Sequence, residues 1–323
     1  MSLHHPIMIE KLRYAIEQAD QHGLLQASAQ HVLTGYSGKK IIGTLQRLAA
    51  LFSETPDTCY LEIGVFQGLT LLSVASASPK LPCFGIDNFA YFDPNKENFN
   101  LILDRKAKLD TNNACLINND YEDALASLQA EIGTRKVGVY FVDGPHDYRS
   151  QLMCLQLAQP YLHEHAMIVV DDANYQHVRQ ANRDFLVTHK NFKLLFEAYT
   201  PAHPANLDKA GEAQAREGWW NGINVLVKDP DNLLPTMYPP TERCRLLYEN
   251  EHMVHATAGA EYAPQVLRIM HEASRARWDR FILRFLHLYP SIRKHYKNHK
   301  NLFPSMNTYS EQLPVFHLNS PSG

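Results

Sequence analysis

At 323 residues, 45% apolar and 20% charged, with a formal net charge of −3, the chain has the composition of an ordinary globular protein of one large domain or two. The slight acidity excludes a global pull toward nucleic acid or an anionic membrane surface, and no run approaches the roughly 18 apolar residues of a membrane-spanning helix. The five cysteines (Cys59, Cys83, Cys115, Cys154 and Cys244) form no CxxC pair. The first three fall in expected strands, so they are expected reduced and buried, in a reducing compartment. With no apolar leader core at the N-terminus, the expectation is a soluble, cytoplasmic protein.

Helical periodicity runs through residues 6–35 (Ile9, Leu12, Ile16, then Leu24, Leu25, Val32) and again through about 40–53 (Ile41, Ile42, Leu45, Leu48, Leu51). These helices form an N-terminal cap over residues 1–56. From Cys59 short apolar runs alternate with helical patterns. Strands are expected at 59–63, 83–86, 114–117, 137–142, 167–170, 192–198 and 223–227. Helices are expected near 69–77, 96–109, 122–132, 149–161 and 177–188. This is an α/β pattern with a mostly parallel sheet covered on both faces, placed at 57–230. The long connection 200–221 carries Trp219 and Trp220, read equally as an aromatic wall for an acceptor or as sheet-edge packing. Its polar run 207–216 reads as a mobile lid or a short helix. Residues 231–240 are Pro-rich, and 231–323 form a helical extension and tail. Helices are expected at 241–255 and 262–288, with Pro290 ending the second. The basic run RKHYKNHK at 293–300 reads as a solvated face rather than a nucleic-acid patch.

The chemistry concentrates at strand ends, where ligands of such sheets sit. The first strand runs into Glu62-Ile63-Gly64-Val65-Phe66-Gln67-Gly68-Leu69-Thr70, a glycine turn leading into a helix N-terminus. Such a turn lets a ligand approach the backbone closely. The next four strands end in Asp87, Asp120, Asp143 and Asp171. Each alone suits a helix N-cap. Together with Glu62 they crowd like charges at one edge, which calls for a cation or hydrogen-bond donors.

Over about residues 55–230 the chain resembles class I S-adenosylmethionine-dependent methyltransferases of the small-molecule O-methyltransferase type. The resemblance lies in the glycine turn, in Asp87-Asn88 after strand two, in Asn119-Asp120-Tyr121 after strand three, in Asp143-Gly144-Pro145-His146-Asp147-Tyr148 after strand four, and in Asp171-Asp172 after strand five. It implies a Rossmann-like seven-stranded, mostly parallel sheet with N- and C-terminal helical additions. It further implies a cofactor site made of Glu62, Gly64, Phe66, Gly68, Thr70, Asp87, Asn88, Asp120, Tyr121 and Asp143. In that site the Asp87 carboxylate would accept from both ribose hydroxyls. In metal-dependent members the strand-four acid and the strand-five pair hold Mg²⁺, which transfers to Asp143, Asp171 and Asp172. Pro145 stands where several of them carry another acid.

The implied reaction is O-methylation of a hydroxylated small molecule. His146 is the candidate base, and its alternative is to hold the loop by hydrogen bonding to Asp147 or backbone. His177 is a second candidate. The helical additions are candidates for a homodimer surface. Two rival readings are an NAD-dependent oxidoreductase, against which the Gly-x-x-x-Gly spacing stands, and a non-catalytic cofactor-binding relative.

Overall fold

The computed structural model describes residues 5–90, 92–241 and 262–298. Its centre is a seven-stranded sheet of β1 (Thr58–Ile63), β2 (Cys83–Ile86), β3 (Ala114–Ile117), β4 (Lys136–Val142), β5 (Leu162–Val170), β6 (Phe192–Ala198) and β7 (Ile223–Lys228), in the order β3-β2-β1-β4-β5-β7-β6. The first five strands are parallel, and β7 runs antiparallel between β5 and β6. The expected fold class is therefore the observed one.

Side chains alternate between the two faces of a strand, and here both faces are apolar. Tyr60, Phe141, Met167 and Val225 pack with α1 (His5–His22), α2 (Lys39–Phe52) and α3 (Leu69–Ala77). Leu61, Tyr140, Ile168 and Leu226 pack on the other face, with α5 (Tyr121–Ala126), α6 (Leu128–Ile132), α7 (Tyr148–Ala158) and α8 (Gln176–Thr188). Helix α4 (Asn98–Lys108) covers the β2–β3 end of the first face through Ile102. By its internal contacts the chain divides into two units, Met1–Arg243 and Cys244–Gly323. The N-terminal helices thus share one unit and one core with the sheet.

Several boundaries differ from expectation for local reasons. The first helix stops at His22, because Gly23 takes φ 64° and residues 24–35 form turns. The 122–132 segment is two short helices meeting at Ser127. Residues 207–216 do form a helix, α9 (Lys209–Glu217), whose first turn is capped by the Asp208 carboxylate accepting from Gly211 N–H at 2.7 Å. Cys115 is exposed rather than buried, because β3 is an edge strand, while Cys59, Cys83 and Cys154 are buried and free. Cys244 lies outside the described residues.

In the second unit, α10 (Ala263–Ser274) and α11 (Trp278–Asn298) replace the single expected helix, and Pro290 sits inside α11 instead of ending it. The break comes at Ala276, whose φ of 53° turns the chain while Ala276 and Arg277 N–H groups close on the Ala273 and Glu272 carbonyls. Pro290 is exposed, so water can satisfy the carbonyl that its missing N–H leaves free. Of the helix expected at 241–255 only Thr241 is described, and it is not helical; the rest of that segment and the 305–323 tail lie outside the described residues. Among the described residues no helix is long and apolar enough to cross a membrane.

Candidate active site

The carboxyl ends of β1, β2, β4 and β5 bring the sequence-predicted residues to one edge. Gly64 takes φ 87°, and a Cβ on it would lie 1.9 Å from the Asp143 carbonyl oxygen, so the ends of β1 and β4 touch through bare backbone. Asp87, just past β2, fixes the turn. Its Oδ2 accepts from the N–H groups of Val65 (2.9 Å) and Phe66 (2.8 Å), and its Oδ1 accepts from Phe89 N–H at 2.7 Å. One carboxylate thus ties the glycine turn to the loop after β2, and Oδ1 keeps a lone pair for a further donor. Beside it, Asn88 Nδ2 lies 3.5 Å from Asp120 Oδ2. Asp120 caps α5 by accepting from Glu122 N–H at 2.9 Å, and Tyr121 donates its hydroxyl to Glu122 at 3.0 Å.

Glu62 and Thr70 stand beneath the turn rather than on its open side. The fully buried Glu62 carboxylate accepts from Tyr60 OH (2.6 Å), Thr70 Oγ1 (2.7 Å) and the Leu71 backbone N–H. From the end of β1 it therefore caps the first turn of α3, whose N-cap residue, Gly68, has no side chain to do so. Burial outweighs these hydrogen bonds and, with the nearby Asp87 charge, pushes the Glu62 pKa up to about 7. The folded state then holds a proton that the unfolded chain releases near the ordinary carboxylate pKa of 4.5. This contribution to stability, about 3 kcal/mol, is complete below pH 4.5 and is lost as pH rises through 7. Glu62→Gln is expected to flatten that fall in urea-unfolding midpoints between pH 5 and about 8. Parallel curves for variant and wild type would rule the assignment out.

At the β4–β5 end, Asp143, His146 and Asp172 each place a ligating atom within 4.8 Å of the others. His146 Nε2 lies 2.6 Å from Asp172 Oδ2, so the partner of His146 is Asp172, neither Asp147 nor backbone. A carboxylate oxygen accepts, so Nε2 carries the hydrogen and Nδ1 the lone pair. The His146 ring stacks on Tyr175 at 5.6 Å. Asp172 takes φ 56°, and its backbone N–H donates to Asp171 Oδ1 at 2.8 Å. Asp171, 2% exposed, stands behind this group. Burial, then the charges of Asp171, Asp172, Glu62 and Asp87, pushes Asp143 well above the usual carboxylate range; burial and Asp172 do the same to Asp171. His177 is exposed in the first turn of α8 and is not brought to the group.

Two cavities flank the edge. One, of about 480 Å³, lies beside the turn and is lined by Thr34, Tyr36, Ser37, Phe66, Gln67 and Arg216, among others. Arg105, 7% exposed, donates to the Gln67 carbonyl (2.7 Å) and to Thr34 Oγ1 (2.6 Å), which straps residue 34 to the turn. Tyr36 stacks on Phe66 (5.5 Å) and on Trp220 (6.2 Å). Trp220 itself is buried, and Trp219 packs on Phe196 at 5.1 Å, so both belong to the sheet's packing. The other cavity, of about 410 Å³, opens beside Asp172 between the loops after β5 and β6, and its aromatic lining is Tyr175, Tyr199 and His203.

Sequence reading missed Arg105, Tyr36 and Asn221. Asn221 donates to Asp172 Oδ1 at 2.6 Å. The signal for it was available. An antiparallel strand beside β5 must begin where β5 ends, so the residues just before β7 return to the acidic edge.

Residues 61–173, which span this edge from β1 to β5, match the family model described as a methyltransferase domain. The match and the sheet order bear out the class I methyltransferase resemblance and fold. Among solved structures the chain is similar to an O-methyltransferase from Bacillus cereus in complex with SAH (13% identity, TM-score 0.42, covering 69% of this chain and 91% of that one). It is likewise similar to the O-methyltransferase TomG from Streptomyces achromogenes, involved in tomaymycin synthesis and in complex with SAM (17%, 0.44, 67% and 89%). The cofactor-bound Rv0187 protein from MTB is a third (17%, 0.42, 69% and 90%). No curated protein sequence matches the chain significantly.

Proposed function

We propose that the protein is an S-adenosylmethionine-dependent methyltransferase that methylates a hydroxyl of a small molecule. The observation that carries this reading is the juxtaposition, at one sheet edge, of a glycine turn held by Asp87 and an oriented His146–Asp172 pair. The methionine part of the cofactor lies along Gly64, Phe66 and Gly68, with Glu62 and Thr70 shaping the turn from below. The ribose donates to Asp87, and the adenine lies by Asn88, Asp120 and Tyr121. The Gly-x-x-x-Gly turn with its acid pairs downstream disfavours a dinucleotide.

S-Adenosylmethionine supplies the methyl group, its S–CH3 bond breaking with the electron pair to sulfur as the acceptor's O–CH3 bond forms. His146 takes the hydroxyl proton at Nδ1. Asp172 orients the ring and stabilises the imidazolium that results. The carboxyls of Asp143 and Asp172 fit Mg²⁺, which binds few protein oxygens and keeps waters, and a cation would relieve the crowding that raises Asp143 and Asp171. In this proposal Asp143 and Asp172 hold it, with Asp171 behind them, and it supplies Lewis acidity toward the hydroxyl. The acceptor is a hydroxylated small molecule rather than nucleic acid. The helical additions are the proposed homodimer surface; the exposed apolar residues Leu267, Met270, Leu283 and Leu286 of α10 and α11 support that reading, which sedimentation tests.

Isothermal titration with S-adenosylhomocysteine and with NAD is the deciding experiment, repeated with and without EDTA to separate metal from cofactor. Micromolar binding of S-adenosylhomocysteine is expected, weakened roughly 100-fold in Asp87→Ala, which removes a charged acceptor and frees the turn. Binding of NAD alone would overturn the reading, and an unchanged dissociation constant in Asp87→Ala would remove the ribose role.

A further inference from the structure

The cavity of about 410 Å³ between the loops after β5 and β6 adjoins the proposed base. Tyr175 joins the two, its ring 5.6 Å from that of His146 and 5.9 Å from that of His203. Much of the cavity wall is already paired with itself. Asn174 donates Nδ2 to Thr200 Oγ1 at 2.7 Å and accepts at Oδ1 from Thr200 N–H at 3.1 Å. The Tyr199 hydroxyl donates to Glu197 at 2.7 Å and accepts from Asn224 Nδ2 at 3.0 Å. Asp172, beside the cavity, has one oxygen on His146 and the other on Asn221.

What stays open is a set of donors around one cation. Arg179, half-buried in the first turn of α8, donates Nε to the Pro240 carbonyl and Nη1 to the Ala173 and Asn174 carbonyls, all at 2.7 Å. These bonds hold the guanidinium 5.5 Å from the centre of the Tyr199 ring. Nη2 has no acceptor among the described residues and is not buried, so its two hydrogens open to solvent. His203 Nδ1 accepts from Ala205 N–H at 3.1 Å, so Nε2 carries the ring hydrogen, and it too is unburied and unpaired among the described residues. No carboxylate lines the cavity, and among the described residues none forms an ion pair with Arg179. A guanidinium pinned by carbonyls, with donors to spare and no acid to neutralise it, is complementary to an oxyanion.

Resting on the methyltransferase reading, we infer that the acceptor is itself an anion: the molecule whose hydroxyl meets His146 carries a carboxylate or a phosphate, which Arg179 Nη2 binds in this cavity. Arg179 is then the residue that selects a charged acceptor over its neutral analogue, and a cavity of this size accommodates a ring together with its anionic group.

The test uses matched pairs, the 2-, 3- and 4-hydroxybenzoates against the corresponding hydroxybenzamides and glucose 6-phosphate against glucose, with methyl transfer followed from radiolabelled S-adenosylmethionine. In the wild type at least one anion is expected to exceed its neutral partner in kcat/KM by roughly 10- to 100-fold, an advantage that shrinks with added NaCl. Which pair shows it tells carboxylate from phosphate. In Arg179→Gln the ratio is expected to fall toward one, and Arg179→Lys is expected to restore part of it. If Arg179 only braced the loops through its three carbonyl bonds, both members of a pair would suffer alike and the ratio would stand. Titration with S-adenosylhomocysteine reports whether each variant is folded, and the wild-type ratio and its salt dependence hold without them. A wild-type ratio near one for every pair, a ratio retained in an Arg179→Gln protein that binds S-adenosylhomocysteine, or turnover of no anion by a wild type that binds it would overturn the inference alone. A wild type that does not bind S-adenosylhomocysteine would overturn the methyltransferase reading as well.

Discussion

Replacing His146 with glutamine is expected to lower kcat by roughly 100- to 10,000-fold on the hydroxylated acceptor that the wild type methylates fastest, with S-adenosylhomocysteine affinity kept within about twofold. Glutamine can still donate to Asp172 and fill much of the ring's space over Tyr175. It cannot accept and carry a proton. The substitution therefore separates proton transfer from loop anchoring, which the 2.6 Å contact to Asp172 would otherwise confuse. Metal content measured on the same variant separates the base from a ligand, since Asp143 and Asp172 remain in place. A kcat within about threefold of the wild type would leave His146 as an anchor only.

Gly64→Ala is expected to cost more than about 4 kcal/mol, or to prevent recovery of folded protein, in urea unfolding. The added Cβ would meet the Asp143 carbonyl oxygen at 1.9 Å and its carbon at 2.6 Å, and both are backbone atoms fixed in the sheet. The control is Gly133→Ala. Gly133 also has positive φ, 65°, but the nearest atom to its Cβ would be the far end of Arg135 at 3.7 Å. That variant carries only the conformational term at φ 65° and ψ −135°, a region almost closed to residues with a Cβ, about 1–3 kcal/mol. Equal costs at the two positions would mean that φ alone matters, and that the contact between β1 and β4 is not what the glycine is for.

Much of the sheet was legible because its strands are short apolar runs bounded by turn residues. The strands at 83–86, 114–117 and 192–198 have the limits read from sequence. β5 is longer than expected because its first half, Leu162-His163-Glu164-His165, carries polar side chains that conceal a strand in a search for apolar runs. The helix break at Ala276 was invisible, since Ser-Arg-Ala-Arg-Trp contains neither glycine nor proline. Pro290 was visible and misleading, because an exposed proline need not end a helix.

The site was half legible for a related reason. Parallel register carries Val142 opposite Val170, so the acids following both had to share an edge. Which oxygen faces which donor depends on the αL turn at Asp172 and on a loop fifty residues further on, and no spacing encodes that. Glu62 illustrates the converse. Its position in the motif was read as part of the cofactor site, yet its carboxylate is consumed by Tyr60, Thr70 and the start of α3.

The place of β7 has a consequence for how the protein is made. The ribosome delivers β5 and β6 before the strand that must lie between them. Until Ile223–Lys228 emerges, Met167–Val170 presents an unpaired apolar edge, a template for any other chain in the same state. The late strand also brings Asn221 to Asp172, so the sheet edge is sealed and the acidic group at the end of β5 gains its amide donor in one event. A nascent or truncated chain ending before residue 223 would be aggregation-prone, and completion of the sheet is gated by the arrival of β7.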